Sequence, residues 1–287
     1  MNGVTSYSVT DAATATLNVG GAQIPVLGFG TYGMSGPSLQ KVLVAALQRG
    51  FRHVDTAQMY QNEADVGVAI RASGVARDEI FVTTKVWVGN TTRRLFLTSV
   101  DESLRNLRSD HIDLLLVHWP RGGAPLEDQI DGLNRAVDLG KVRHIGISNY
   151  NVTMMRAAMA LSARPLVTNQ VEYHPFLDQT AVLQQVGLSG SSLMAYCGMA
   201  VGRVFDTPLL AEMAMRHGRS VAQIVLRWLI QQPNVVALSR TEKIERLPQN
   251  TDIFDFALDD DDMAAIATLK SPGSRIVNPP HLAPAWD

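Results

Sequence analysis

A regular alternation of short strand-like runs with amphipathic helical runs is the feature that most constrains the fold. Eight runs rich in apolar and β-branched residues begin near Leu27, Arg52, Phe81, Ile112, Val142, Leu166, Ser192 and Val235. Between or after them, apolar residues recur at helical spacing in residues 39–47, 62–70, 92–107, 127–139, 152–161, 180–186 and 220–229, with a shorter segment after Arg240. Strands that alternate with helices favour a parallel sheet, and eight such units close most economically into a (β/α)8 TIM barrel.

Local signals mark the ends of several elements. Pro37 and Gly50 bracket the first helical run, as expected for proline in the first turn and glycine beyond the last turn. Paired glycines at 20 and 21 separate residues 16–19 from 23–26 and predict an N-terminal β-hairpin. Residues 1–13 are small and polar, so we expect a flexible N-terminal extension followed by a single domain over residues 14–287.

Composition and charge narrow the classes of partner. Of the 287 residues, 46% are hydrophobic and 18% are charged, which is ordinary for a globular protein. With 25 basic and 27 acidic residues, the net charge of −2 argues against nucleic acid and anionic membrane as partners. The single cysteine, Cys197, and the lack of a signal-like start or a run of about 20 apolar residues favour the cytoplasm. No spacing typical of metal ligands occurs.

Four polar residues lie at or just beyond the ends of three successive strand-like runs. Asp55 ends one run, Tyr60 follows five residues later, Lys85 ends the next run and His118 closes the third. Strand ends are where an alternating barrel places its chemistry. An ammonium at the end of an apolar strand needs a carboxylate partner, and an adjacent ammonium favours the phenolate and so lowers the pKa of a tyrosine. We call these residues the tetrad and interpret them as a proton relay.

Other interpretations of these residues remain open at this point. Lys85 is also compatible with a structural ion pair, or with a Schiff-base nucleophile of a barrel lyase or aldolase. An isolated histidine after an apolar strand is more often a core residue. The run from Gly28 to Gly33 matches the G-x-G-x-x-G dinucleotide motif, but four residues delay the helix that should begin at its third glycine.

Several segments resemble the aldo-keto reductase superfamily in order and spacing: residues 55–57, 84–87, 118–120, 146–149 and 169–172. The resemblance covers Ala15 to Asp287. Residues 55–63 and 282–287 are most similar to bacterial 2,5-diketo-D-gluconate reductases, which also reduce methylglyoxal. The resemblance implies a (β/α)8 barrel that reduces aldehydes or ketones with NADPH. Tyr60 would be the acid, Lys85 the group that lowers its pKa, Asp55 the counter-ion and His118 the group that orients the carbonyl.

The resemblance also implies a set of cofactor ligands. They are Ser148, Asn149 and Gln170 at the nicotinamide carboxamide, Tyr196 on the nicotinamide ring, Arg240, Thr241 and Arg246 at the adenosine 2′-phosphate, and Gln249 and Asn250 at the adenine. Two guanidinium groups and a hydroxyl at a helix start suit a dianion, which favours NADPH over NADH. Some superfamily members act as regulatory partners that sense the cofactor; the complete tetrad argues against that role.

This chain departs from the family pattern at two cofactor segments. The usual Ser-Pro-Leu after Tyr196 is replaced by residues 197–199, Cys-Gly-Met, so a different loop conformation is expected over the pyrophosphate. Pro248 falls where a helix begun near Thr241 should continue, and it predicts a kink or a stop.

The expected substrate pocket is formed by aromatic residues at the strand mouths, namely Tyr32, Trp87 and Trp119. The loop at residues 121–126 and the segment after Ser274 are both short, and family members that enclose bulky substrates carry longer versions. We therefore expect an open site for small polar aldehydes, dicarbonyls and keto sugars. By the same resemblance we expect a monomer.

Overall fold

The computed structural model describes residues 14–287, so the predicted flexible extension at 1–13 lies outside the described residues. The described chain begins with an antiparallel hairpin of β1 (Thr16–Val19) and β2 (Ala22–Pro25). Gly20 and Gly21 connect the strands at φ angles of 54° and 87°, in the region that glycine adopts without strain. The predicted N-terminal hairpin is confirmed.

Eight parallel strands form one closed barrel in the order β10-β3-β4-β5-β6-β7-β8-β9. They are β3 (Leu27–Gly30), β4 (His53–Asp55), β5 (Phe81–Val86), β6 (Ile112–Val117), β7 (Val142–Ser148), β8 (Leu166–Glu172), β9 (Ser192–Tyr196) and β10 (Val235–Ser239). The first barrel strand, β3, pairs with the last, β10, with Gly28 opposite Leu238. Each begins within one residue of its predicted position, and the (β/α)8 barrel is confirmed.

Helices cover the outside of the barrel. They are α1 (Gly36–Gln48), α2 (Glu63–Ala72), α3 (Phe96–Leu107), α4 (Leu126–Asp138), α5 (Val152–Leu161), α6 (Thr180–Ser189), α7 (Pro208–His217), α8 (Val221–Gln231), α9 (Leu247–Thr251) and α10 (Asp260–Ala267). Ser220 and Gln223 form a capping box at the start of α8. Because strands and helices alternate, both faces of the sheet are covered, and all six residues of β6 are buried. Within residues 14–287 no helix is long and apolar enough to cross a membrane.

The helices differ from the sequence prediction at three places. Helix α3 begins at Phe96 rather than at residue 92. Helix α7 was not predicted, although Pro208 starts it and Gly218 follows it at φ 62°, because exposed Met215 weakens its amphipathic pattern. After β10 the chain forms a 3-10 turn at Ile244–Arg246, and Pro248 lies in the first turn of α9, where its missing donor costs nothing.

The glycines at 28, 30 and 33 serve the barrel and do not form a dinucleotide motif. Gly28 lies against neighbouring strands, and a Cβ there would lie 2.6 Å from Leu238 Cδ2 and 2.8 Å from His53 Nδ1. Gly33 has a φ of 73°, and α1 begins only at Gly36. The closed barrel contradicts the alternative of an open dinucleotide-binding sheet.

Candidate active site

The tetrad comes together at the carboxyl ends of three adjacent strands. Asp55 is the last residue of β4, Lys85 is the next to last of β5, and His118 follows the last residue of β6. The register pairs Asp55 with Thr83 and Lys85 with Leu116, so the three strands end at one rim of the barrel. Tyr60 ends a 3-10 turn, Gln58–Tyr60, in the loop after β4.

Lys85 is the centre of this arrangement. Its side chain is 0% exposed, and Nζ lies 2.6 Å from Asp55 Oδ1. Nζ also donates to the Thr56 carbonyl oxygen at 2.9 Å and to the Tyr60 hydroxyl at 3.3 Å. These three contacts account for the three donors of an ammonium. The buried charge is therefore compensated by one carboxylate and two neutral oxygens.

Burial shifts the pKa values of both Tyr60 and Lys85. Burial raises the pKa of Tyr60 well above its ordinary value, and Asp55 and Tyr32 add to that rise. Burial also lowers the pKa of Lys85, while the Asp55 carboxylate opposes that shift. The upward shift of the Tyr60 pKa comes from burial and from Asp55 and Tyr32, and the predicted lowering by the Lys85 ammonium stays a prediction. Tyr60 is therefore a protonated phenol at neutral pH.

His118 lies beside Tyr60 on the same rim. Its ring centre is 5.8 Å from that of Tyr60 and 5.4 Å from that of Trp87, with both pairs in edge-to-face geometry. Burial lowers the pKa of His118 well below its usual value, and the charge of Lys85 lowers it further. The imidazole is therefore neutral at physiological pH. Its Nδ1 is buried and has no hydrogen-bond partner among residues 14–287.

Four of the predicted cofactor residues form a connected group at the ends of β7, β8 and β9. Ser148 Oγ donates to the Gln170 carbonyl oxygen at 2.8 Å, and Asn149 Nδ2 donates to Ser148 Oγ at 3.1 Å. The Tyr196 hydroxyl donates to Asn149 Oδ1 at 2.7 Å. Asn149 has a left-handed φ of 65°, which asparagine tolerates better than most residues.

This group is joined to the tetrad by two hydrogen bonds. Gln170 Nε2 donates to Asp55 Oδ2 at 2.7 Å, and Asn149 Nδ2 donates to the His118 carbonyl oxygen at 3.0 Å. Asp55 therefore accepts from Lys85 through one oxygen and from Gln170 through the other. The tetrad and the predicted nicotinamide ligands therefore share this carboxylate.

The predicted phosphate ligands lie after β10. Arg246 is exposed and makes no ion pair or hydrogen bond through its guanidinium within the described chain. Thr241 is buried, and its hydroxyl accepts from the Lys243 backbone N–H at 3.1 Å. Arg240 is engaged elsewhere, because Nε donates to the Tyr32 carbonyl oxygen at 2.6 Å and Nη2 pairs with Glu242 at 2.6 Å. That ion pair is largely exposed and therefore weak.

The predicted adenine ligands differ from each other in their surroundings. Gln249 is exposed on the short helix α9. Asn250 is buried, and its Nδ2 donates to Ser239 Oγ at 2.8 Å. The structure thus uses Asn250 to tie α9 to the end of β10, and leaves Gln249 available at the surface.

The segment that replaces Ser-Pro-Leu has an unusual backbone. Cys197, Ala200 and Val201 adopt φ angles of 58°, 46° and 52° before and within the 3-10 segment Ala200–Asp206. A left-handed φ is strained for a β-branched residue such as Val201. Val201 is 78% exposed, so the strain lies on a surface loop next to Tyr196.

The predicted substrate walls surround the tetrad on different sides. Tyr32 is 61% exposed, and its ring centre lies 5.1 Å from that of Tyr60. Trp87 lies edge-to-face against His118. Trp119 is only 5% exposed, because it packs with Val88 and with Ala283 of the C-terminal segment, residues 274–287. Tyr32 and Trp87 are therefore the more accessible surfaces.

Glu172 holds the C-terminal segment against the rim, a role that the sequence analysis did not assign. Its carboxylate is fully buried and accepts from the backbone N–H groups of Ile276 and Val277, each at 2.7 Å. His174 Nε2 lies 2.9 Å from the same carboxylate, and these hydrogen bonds lower the pKa of Glu172 although burial opposes them. The sequence signal that could have identified this role is the position of Glu172 at the end of a buried strand.

No group of three or more histidine, cysteine, aspartate or glutamate side chains within residues 14–287 is arranged to hold a metal ion. The donors at the rim are instead amides, hydroxyls, the phenols of Tyr60 and Tyr196, the His118 imidazole and an ammonium. This set suits hydrogen bonding to an organic cofactor and to a carbonyl oxygen.

Comparison with known proteins agrees with this geometry. The family model described as the aldo/keto reductase family matches residues 26–271. Methylglyoxal reductase DkgB of Salmonella typhi is 38% identical over 267 residues, which span 92% of this chain and 99% of that protein. A crystal structure provisionally described as a 2,5-diketo-D-gluconic acid reductase B is 55% identical, has a TM-score of 0.94 and covers 95% of this chain and 97% of its own. An aldo-keto reductase of Bombyx mori in complex with NADP is 32% identical, has a TM-score of 0.83 and covers 89% and 92%. The chain is an oxidoreductase that belongs to the aldo/keto reductase family.

Proposed function

We propose that this enzyme reduces small polar aldehydes, dicarbonyls and keto sugars to alcohols, with NADPH as the cofactor and Tyr60 as the general acid. The observation that carries the proposal is the buried relay in which Lys85 Nζ contacts Asp55 at 2.6 Å and the Tyr60 hydroxyl at 3.3 Å. A reductase needs a proton donor for the oxygen on which negative charge develops. Relatives named methylglyoxal reductase and glyoxal reductase support this class of substrate.

The chemistry of each side chain follows from its surroundings. When bound, NADPH supplies a hydride to the carbonyl carbon. The Tyr60 phenol is protonated at neutral pH, and it gives its proton to the carbonyl oxygen as negative charge develops there. Lys85 stabilises the phenolate as it forms. The neutral His118 ring lies beside Tyr60 and is placed to donate a hydrogen bond that orients the carbonyl oxygen.

The donors along the rim fit an extended NADPH molecule. Ser148, Asn149 and Gln170 offer amide and hydroxyl groups that match a carboxamide, and the Tyr196 ring lies beside them. Arg246 has no partner of its own in the described chain and lies just before α9. The Thr241 hydroxyl lies earlier in the same loop, where it bonds to the backbone of Lys243. A free guanidinium and a hydroxyl favour the 2′-phosphate of NADPH over the plain ribose of NADH.

The preference for small polar substrates is supported by the shape of the rim. Only residues 118–125 connect β6 to α4, and Gly122 and Gly123 keep that loop against Val88 and Leu282. The C-terminal segment is tied down by Glu172 and packs on Trp119. Neither segment is long enough to build a deep apolar enclosure. We also propose that the enzyme acts in the cytoplasm and that it is a monomer. Analytical ultracentrifugation tests the monomeric state.

Tyr60→Phe tests the proposed chemistry. It removes the hydroxyl and leaves the ring, so we expect methylglyoxal-dependent oxidation of NADPH to fall by about 100-fold or more, since a general acid contributes on the order of 10² to 10⁴ in rate. NADPH affinity, measured by fluorescence titration, should stay unchanged. Tyr173→Phe is the matched control, because it also removes one buried hydroxyl, which donates to Gln232. Retained turnover in Tyr60→Phe would rule out this acid.

The alternative of a Schiff-base lyase is disfavoured by the surroundings of Lys85. Attack on a carbonyl needs a free amine lone pair, whereas Nζ is fully buried and donates to three oxygens. Borohydride reduction in the presence of a carbonyl substrate is expected to leave Lys85 unlabelled. Covalent labelling at that residue would revive the lyase.

A further inference from the structure

We propose that Gln58 is a positioning residue that sets the distance between the acid Tyr60 and the substrate wall at Trp87. The inference rests on the proposed function, because it concerns the placement of its acid. Gln58 is two residues from Tyr60, within the same 3-10 turn. The side chain joins that turn to two other elements of the barrel.

Gln58 uses both ends of its amide. Oε1 accepts from the backbone N–H of Trp87 at 2.9 Å and from Asn90 Nδ2 at 2.9 Å. Nε2 donates to the Ser99 carbonyl oxygen and to Ser103 Oγ, each at 3.2 Å. These four contacts equal the full capacity of a primary amide. The turn that carries Tyr60 is thereby bonded to the end of β5 and to helix α3.

Packing around the turn is incomplete. Gln58 and Tyr60 are half-buried, and Met59 is 38% exposed. Beside Gln58 lies an open polar cleft of about 420 Å³, whose lining includes Gln61, Asn90, Ser99 and Ser103. The open space of this cleft offers few packing contacts to the Gln58 side chain. The hydrogen bonds of Gln58 therefore hold the start of the turn against the end of β5 and against α3.

The two ends of the loop are fixed by different groups. Thr56 Oγ1 donates to Asn62 Oδ1 at 2.6 Å, and Asn62 Nδ2 donates to the carbonyl oxygens of Thr31 and Met34 at 3.0 and 2.9 Å. These bonds fix the base of the loop. At its tip Tyr60 has a contact of 3.3 Å with Lys85 Nζ and ring contacts with Tyr32 and His118, whereas Gln58 supplies the direct hydrogen bonds from the turn to the end of β5 and to α3. Loss of Gln58 should accordingly let Tyr60 shift while the loop and the barrel remain folded.

The consequence for catalysis is a matter of geometry. Gln58 binds the backbone of Trp87, which lies edge-to-face against His118, and it is in the same turn as Tyr60. It therefore couples the proton donor to the surfaces that hold the carbonyl. A displacement of about 1 Å in a catalytic group can cost on the order of 100-fold in rate.

The test compares Gln58→Met with Gln61→Met in the reduction of methylglyoxal by NADPH. Methionine matches the size of glutamine and removes all four hydrogen bonds. Gln61 lines the same cleft, is exposed, and makes no side-chain hydrogen bond within the described residues. We expect kcat to fall about 100-fold in Gln58→Met with NADPH affinity unchanged, and the solvent deuterium isotope effect on kcat to increase because proton donation becomes slower. Gln61→Met should resemble the unaltered enzyme.

Gln58→Glu is a second test variant. Its carboxylate can still accept hydrogen bonds from the Trp87 backbone and from Asn90, but it repels the Ser99 carbonyl oxygen. We expect its kcat to lie between those of the unaltered enzyme and Gln58→Met. A kcat for Gln58→Met within about threefold of the unaltered enzyme, or an unchanged isotope effect, overturns the inference. If Gln58→Met fails to fold, an unchanged kcat in Gln58→Glu overturns it. Failure of the unaltered enzyme to reduce any carbonyl overturns the proposed function itself.

Discussion

Lys85→Met separates the structural cost of the buried relay from its chemical role. Methionine keeps the length and the apolar stem of lysine but removes the ammonium. Asp55, whose side chain is only 4% exposed, then loses its counter-ion and keeps one side-chain donor, Gln170 Nε2 at 2.7 Å. The Thr56 carbonyl oxygen and the Tyr60 hydroxyl each lose a donor as well.

The expected loss of stability follows from these contacts. Removing one partner of a buried ion pair costs about 3–5 kcal/mol, because a charge is left uncompensated. Gln170 still satisfies one oxygen of Asp55, so we expect the lower end, about 3 kcal/mol in the free energy of unfolding. In Lys85→Met/Asp55→Asn no charge remains at this position, and we expect stability within about 1 kcal/mol of the unaltered enzyme. Turnover should stay lost in both variants.

This coupling is measured by equilibrium urea unfolding of four proteins, namely the unaltered enzyme, Lys85→Met, Asp55→Asn and the double variant. The two single losses should exceed the loss in the double variant, since neighbours that share an interaction are not additive. Additive losses, or a loss below about 1 kcal/mol in Lys85→Met, would show that the two side chains do not compensate each other in the folded protein. Recovered turnover in the double variant would remove Lys85 from the mechanism.

Two further predictions concern the cofactor and acid stability. Arg246→Ala should weaken NADPH binding about 10- to 100-fold and leave NADH binding nearly unchanged in fluorescence titrations, because one charge-assisted hydrogen bond contributes roughly 1.5–3 kcal/mol. Substitution of alanine for the exposed Arg105 is the control. Equal weakening of both cofactors would show that the phosphate site lies elsewhere. Burial lowers the pKa of His53 to about 4, below its unfolded value, so the unfolded chain binds the extra proton first and stability falls as pH drops from 6.5 toward 4. Protonation of His53 should therefore lower the free energy of unfolding by about 3 kcal/mol between pH 6.5 and 4. His53→Gln should lose less stability than the unaltered enzyme over this pH range. Parallel pH profiles of the two proteins would contradict the prediction.

Much of the barrel could be predicted because its signals are local. Strand starts follow from short apolar runs, and Pro37, Gly50 and the Ser220 capping box mark helix ends through backbone requirements of single residues. Helix α7 escaped prediction although Pro208 and Gly218 bracket it, since its apolar residues are not confined to the buried face. Periodicity identifies a helix only when burial follows it.

The sequence predicted which residues of the tetrad would lie together, but it revealed less of their electrostatics and connections. Strand-end placement brought Asp55, Lys85 and His118 to one rim, because parallel strands end together. The direction of the Tyr60 pKa depends on how deeply the phenol is buried, which spacing does not reveal. The contacts of Gln58 and Glu172 join distant parts of the chain, and such long-range pairings leave no pattern in a single sequence.

Stability alone does not account for the relay. A buried ion pair can often be replaced by apolar side chains of similar size at little cost or with a gain in stability. The barrel would therefore fold with an apolar pair in place of Asp55 and Lys85. What such a pair could not supply is the third contact, from Nζ to the Tyr60 hydroxyl, which the other two contacts hold in place. Asp55 is itself fixed from the opposite side by Gln170. The position of the ammonium is thus set by contacts from two sides, which supports the proposal that it stabilises the Tyr60 phenolate.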